Sequence, residues 1–165
     1  MSVIDTLITD RTEQDVIAVK NLRQKILEGT ATAEEITDFA NNPQKGCYNC
    51  EDINRVLDAM VYLKSLLAEF GITVNITIST SHLGTTSIPQ YFAAYLQSIS
   101  NFRNAVPLPD TVPQAPSSID YFTYKSANDI EEILKAVYDY AVSLNYIHKR
   151  SGSMTAISGI RGLLV

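Results

Sequence analysis

The sequence predicts a mainly α-helical bundle of about five helices, with a minor β-strand element and an extended C-terminal tail. Three observations point there. Apolar residues recur at helical spacing in several segments, each opened by a capping residue. Only one stretch, residues 72–79, alternates apolar with polar side chains as a strand does. From Ser151 onward the helical pattern breaks.

The elements follow in chain order. Thr12-Glu13-Gln14-Asp15 has the form of a capping box with Asp in place of Glu, and Val16, Val19, Leu22 or Arg23, and Ile26 continue at helical spacing until Gly29 closes the helix. Thr32-Ala33-Glu34-Glu35 is a second capping box, opening a short helix through Ile36, Phe39 and Ala40 that Asn41-Asn42-Pro43 must end. The first third therefore reads as a helical hairpin. The strongest helix starts near Asn49, carries Ile53, Val56, Leu57, Met60, Leu63, Leu67 and Phe70 on one stripe, and stops at Gly71.

Ile72-Thr73-Val74-Asn75-Ile76-Thr77-Ile78-Ser79 is rich in β-branched residues and predicts a half-buried strand, although no partner strand is evident nearby. After a loop at residues 81–86, Ser87-Ile88-Pro89 opens a helix bearing Phe92, Tyr95, Leu96, Ile99 and Phe102, which must stop before Pro107. Pro107, Pro109, Pro113 and Pro116 make residues 107–118 an extended connector crossing the bundle surface. Ser126-Ala127-Asn128-Asp129 then opens the last long helix, with Ile130, Ile133, Leu134, Val137, Ala141 and Leu144 on one face. Its register matches the central helix, Asp52-Ile53 against Asp129-Ile130, a pattern that duplication or mere amphipathic likeness would produce. Residues 1–150 read as the helical domain and residues 151–165 as an apolar, glycine-containing tail.

Composition bounds the function. At 165 residues, with 45% apolar and 19% charged side chains, the chain has the make-up of a folded protein with a core of its own. A formal charge of −5, with no basic run beyond His148-Lys149-Arg150, argues against a nucleic-acid partner, which needs clustered cations to displace counterions. No stretch approaches the ~18 apolar residues of a membrane span, and Met-Ser-Val-Ile-Asp does not open a secretory signal. The expectation is a chain made in the cytoplasm, with no membrane contact.

Cys47-Tyr48-Asn49-Cys50 is the one motif that invites chemistry, since two thiols ahead of a helix can form a disulfide and the helix terminus can lower a thiol pKa. Cys47 and Cys50 are thus the thiol candidates. A thioredoxin-like site needs a preceding strand, and a zinc site needs two more ligands; His82 and His148 lack the spacing. No nucleophile elbow, phosphate loop, dinucleotide fingerprint or calcium loop occurs, so no catalytic residue, metal or cofactor is expected. The acidic pairs Glu34-Glu35, Glu51-Asp52 and Glu131-Glu132 sit in early helical turns, where negative charge favours the dipole. Tyr121, Tyr124, Tyr138, Tyr140 and Tyr146 crowd the last third, as suits either core packing or a protein interface.

Three blocks span most of the chain: Leu7-Ile8-Thr9-Asp10-Arg11-Thr12 with Asp15-Val16; Lys45-Gly46 with Tyr48-Asn49 and Asp52-Ile53-Asn54-Arg55-Val56; and Thr123-Tyr124 with Ala127-Asn128-Asp129-Ile130-Glu131. Together they resemble the pattern of a family of bacteriophage and prophage virion proteins from Gram-positive gut bacteria, found among tail, baseplate and tail-fibre components. The resemblance implies a structural role in the virion, partners among other virion proteins or further copies of the chain, and no catalytic residues. Cys47 and Cys50 depart from the pattern, which does not require cysteine there. Within the blocks, Asn49 and Asn128 are candidate helix caps, and Asp10-Arg11 and Asn54-Arg55 are candidates to tie the N-terminal segment to the central helix. Ile157, Ile160, Leu163, Leu164 and Val165 are the interface candidates, because an apolar tail left in water invites aggregation. A host-encoded helical adaptor and a thiol redox protein are the competing readings.

Overall fold

Capping residues set where the helices begin. In the computed structural model, which describes residues 2–42, 44–78 and 89–161 with side chains for 92–148 of the last stretch, Thr12, Thr32 and Asn49 each accept a backbone N–H of the next turn. The third helical residue, Asp15, Glu35 or Asp52, reaches back to the cap's own N–H. These boxes open α1 (Glu13–Leu27), α2 (Ala33–Asn41) and α3 (Cys50–Ala68). Gly29 and Gly71 end α1 and α3 in the left-handed region, at φ 70° and 75°, where a side chain is disfavoured. Helices α4 (Pro89–Ala105) and α5 (Tyr124–Arg161) complete the set, and a short 3-10 turn, Val3–Thr6, precedes α1.

The core is built from α3, α4 and α5. Helix α5 packs against both others, and the N-terminal 3-10 turn sits on α3 and α5. The apolar stripe of α3, from Ile53 through Leu67, is buried, and Ile130, Ile133, Leu134, Val137 and Ala141 of α5 meet it together with Phe92, Tyr95, Leu96, Ile99 and Phe102 of α4. Burying such side chains is the main favourable term in folding. The register shared by α3 and α5 is thus a shared core face.

Helices α1 and α2 stand apart, with no buried residue in either. Val16, Val19, Leu22 and Ile26 are only half-buried, and Lys25 bridges to Glu35 at 2.8 Å across the hairpin.

Of the strand expected at residues 72–79, residues 72–78 form none, and Ser79 lies outside the described residues; among the described residues there is no strand. The alternation is real, with Val74 and Ile78 buried while Thr73, Asn75 and Thr77 are exposed. The segment finds its hydrogen bonds on a helix instead. Thr77 N–H donates to Ser98 Oγ at 2.9 Å, Thr77 Oγ1 donates to the Ala94 carbonyl at 2.7 Å, and Asn101 Nδ2 donates to the Asn75 carbonyl at 2.9 Å. With no second β-segment among the described residues to pair with, side chains of α4 satisfy the extended backbone.

The proline-rich connector is extended on either side of a turn at Asp110-Thr111. Three of its carbonyls are gathered by the buried Arg103, which reaches Pro113 at 3.2 Å, Val112 at 3.4 Å and Pro109 at 3.5 Å, the Pro109 carbonyl also accepting the Val112 N–H at 3.1 Å. Leu108, Val112 and Ala115 pack on the core beneath. The backbone of α5 continues past Arg150 to Arg161, so the boundary read at residues 150 and 151 falls inside a helix. The loop at 81–86, His82, Ser87-Ile88 and residues 162–165 lie outside the described residues.

Candidate functional site

The three blocks of the chain meet at one place. Arg11, just ahead of α1, enters the interior between α3 and α5. Its Nη2 donates to Asp52 Oδ1 at 2.9 Å and to Glu131 Oε1 at 2.7 Å, and its Nη1 donates to the Ile8 carbonyl at 2.6 Å. Arg55, one turn along α3 from Asp52, donates to Asp52 Oδ1 at 2.5 Å and to Glu131 Oε1 at 3.0 Å. Glu131 is fully buried, and its other oxygen accepts the Ile8 N–H at 2.5 Å. Asp52 works twice, since its Oδ2 also accepts the Asn49 N–H of the α3 capping box.

Two guanidinium groups thus face two carboxylates, and the formal charges cancel. Charge balance is what makes such burial tolerable, because an isolated ion in a low-dielectric interior is strongly disfavoured. For Arg55, burial works against the charged form. Hydrogen bonds and charge from Glu131 and Asp52 outweigh it, and its pKa is raised.

Asn128 locks the same joint. Its Oδ1 accepts the Arg11 N–H at 3.1 Å, and its Nδ2 donates to the Arg11 carbonyl at 2.9 Å. It is not the helix cap that its sequence suggests: α5 starts at Tyr124, so Asn128 lies inside the helix and spends its amide on the backbone of the N-terminal segment. The other expected cap, Asn49, does cap α3. Gly46 brings the chain against α1 so closely that a Cβ there would fall 2.1 Å from the Asp15 carbonyl oxygen. At the rim Lys45 pairs with Asp10 at 2.9 Å, which holds the Asp10 carboxyl below its ordinary value.

An aromatic cluster borders the charges. The Arg11 guanidinium lies 5.5 Å from the centre of the Tyr48 ring, within cation–π range. The Tyr48 ring contacts Phe122 at 5.2 Å, and Phe122 meets Phe92 edge-on at 5.4 Å. The hydroxyls of Tyr48 and Tyr95 bond to each other, and burial pushes both phenols above their ordinary range. Outside this cluster runs a groove of about 420 Å³ walled by Val16, Ile17, Cys47, Phe122, Tyr124 and Ala127.

Cys47 and Cys50 are not joined in a disulfide, and each is half-buried. Burial, with the Asp52 charge adding to it, raises the Cys47 thiol, the direction opposite to activation as a nucleophile. Among the described residues, no group of three His, Cys, Asp or Glu side chains could hold a metal ion, and no helix is long and apolar enough to cross a membrane. The tyrosines divide. Tyr138 and Tyr140 pack on the core and Tyr124 walls the groove, whereas Tyr146 and Tyr121 are exposed. Tyr121 is 96% exposed and sits at φ 62°, a left-handed conformation that disfavours a side chain. Of the interface candidates, the side chains of Ile157 and Ile160, and the whole of Leu163, Leu164 and Val165, lie outside the described residues.

The pairing of Arg11 and Arg55 with buried acids on two helices exceeds what the sequence alone suggests. The acidic pairs read as dipole charges, yet Asp52 and Glu131 are partners in the joint. The signal lay in register: Glu131 is four residues from Ala127 and three from Leu134, on the apolar stripe of α5, where a carboxylate needs a buried partner. Comparisons with family models, with curated proteins and with solved structures return no match.

Proposed function

We propose that this chain is a structural assembly protein of a bacteriophage virion, acting in a tail or baseplate through contacts with other virion proteins and not as an enzyme. One observation carries the reading. The three sequence blocks that resemble the phage family converge on one buried, charge-neutral joint built from Arg11, Asp52, Arg55, Asn128 and Glu131. A signature of this kind preserves the relative placement of an N-terminal segment and two helices, which is what an assembly module has to keep.

Its working surfaces lie outside the joint. Tyr121 is held in water on a disfavoured backbone conformation, and large exposed aromatic side chains are favoured anchors of protein contacts. The tail carrying Ile157, Ile160, Leu163, Leu164 and Val165 docks on a neighbouring virion subunit, burying apolar surface that would otherwise face water.

The test is co-fractionation on a density gradient with particles released from cells that carry the phage. The full-length chain is expected in the particle band at a fixed ratio to the major tail protein. The chain ending at Arg150 is expected to stay folded but remain at the top of the gradient. Full-length protein found only with free proteins would point to a host-encoded adaptor and overturn the reading.

A further inference from the structure

The turn ahead of α5 holds a large aromatic side chain where its own fold makes no use of it. Phe122 N–H donates to the Ile119 carbonyl at 3.0 Å, which closes a turn with Asp120 and Tyr121 at its tip. Tyr121 stands third in that turn at φ 62°, the place glycine takes when φ is positive. Its ring is 96% exposed, and Ile119 in the same turn is 42% exposed. A strained backbone that presents an apolar ring to water is set for a contact outside the chain.

The groove described above begins at the next residue. Phe122, Thr123 and Tyr124 all line its space of about 420 Å³, so a projecting ring and an apolar hollow lie side by side on one surface. Their charged neighbours are opposite in sign. Asp120 precedes Tyr121 and Lys125 follows Tyr124, while on α1 the groove is lined by Lys20 and Glu13. All four are exposed, and none is in an ion pair among the described residues. A two-fold contact uses the same patch on both partners, so the patch has to complement itself. A ring beside a hollow does so, with Asp120 of one copy meeting Lys20 of the other and Lys125 meeting Glu13.

We infer that this patch joins two copies of the chain, the Tyr121 ring of each entering the groove of the other. The ring packs there among Val16, Ile17 and Phe122, where aromatic and branched side chains give it apolar and edge contacts. Resting on the assembly reading, the inference names a second copy as the partner of Tyr121, and it leaves the tail free for a different neighbour.

Light scattering after gel filtration, over a dilution series of the full chain, tests it. The unaltered protein is expected at twice the 18.2 kDa chain mass. Tyr121→Gly removes the ring and suits the positive φ, so it is expected to keep its helix content while pairing on the order of 100-fold more weakly. Asp120→Lys and Lys20→Glu each bring like charges together and are expected to weaken pairing on the order of 10-fold. The two changes combined in one chain restore opposite signs at both contacts and are expected to recover most of that loss. The inference falls if the unaltered chain has the mass of one copy, if Tyr121→Gly pairs as tightly as the unaltered chain, or if the combined variant pairs no better than the single ones. Co-fractionation with particles does not depend on the mass in solution, so failure here would leave the assembly reading to its own test.

Discussion

Gly46 illustrates how a single residue fixes a long-range placement. A Cβ at this position would fall 2.1 Å from the Asp15 carbonyl oxygen and 2.5 Å from its carbon, and both are backbone atoms that cannot swing aside. Gly46→Ala is expected to cost about 1–3 kcal/mol, as overpacking against a fixed neighbour does. The displaced α1 should show faster amide exchange over residues 12–19. Unchanged exchange there would mean that the close approach is absent in solution. The sequence marks Gly46 only as part of a block and gives no hint that it is pressed against Asp15, because the contact joins segments 31 positions apart in the chain. Asn128 misleads in the same way. An Asn ahead of an acidic, apolar-periodic run reads as a cap, and only tertiary structure reveals that its amide is committed to Arg11. By contrast Thr12, Thr32 and Asn49 are legible, since capping is a local interaction within four residues.

Among the elements, the hairpin depends most on its caps, having no core of its own. Hydrogen bonds with Thr12 lower the Asp15 carboxyl below its ordinary value of 3.8, and the bond from Lys25, with that from Thr32, lowers Glu35 below 4.5. A carboxyl whose pKa is lower folded than unfolded contributes stability that is fully present above the unfolded value and is lost as pH falls through the folded one. The hairpin should therefore be indifferent to pH between neutrality and about 4.5, then weaken in acid. Amide resonances of Thr12 and Thr32, which donate to these carboxylates, should titrate below 3.8 and 4.5 respectively. Midpoints at or above those values would contradict the caps. The extended segment of residues 72–78 belongs to this scale too. Its alternation is legible and gives the correct buried face, but periodicity says nothing about the hydrogen-bond partner, which is α4. Arg103 likewise has no signature as the anchor of the connector, although a run of prolines, whose carbonyls keep their acceptors, calls for a donor.

For the whole molecule, the bundle of α3, α4 and α5 follows from apolar stripes that can be read directly, while the joint that orients the N-terminal segment on it follows from charges whose partners cannot. Arg11, Asp52 and Glu131 are separated by 41 and 79 positions, and their pairing carries the structural claim that the three blocks are one unit. Replacing one ion of a buried network leaves its partners uncompensated, a loss of about 3–5 kcal/mol. Thermal unfolding of Glu131→Gln, with Glu132→Gln on the exposed side of the same turn as control, tests this most directly. The midpoint is expected to fall on the order of 10 °C for Glu131→Gln, and by about 2 °C or less for the control. Equal midpoints for the two variants would contradict it, showing that Arg11 and Arg55 do not rely on Glu131 and that the joint does not hold the blocks together.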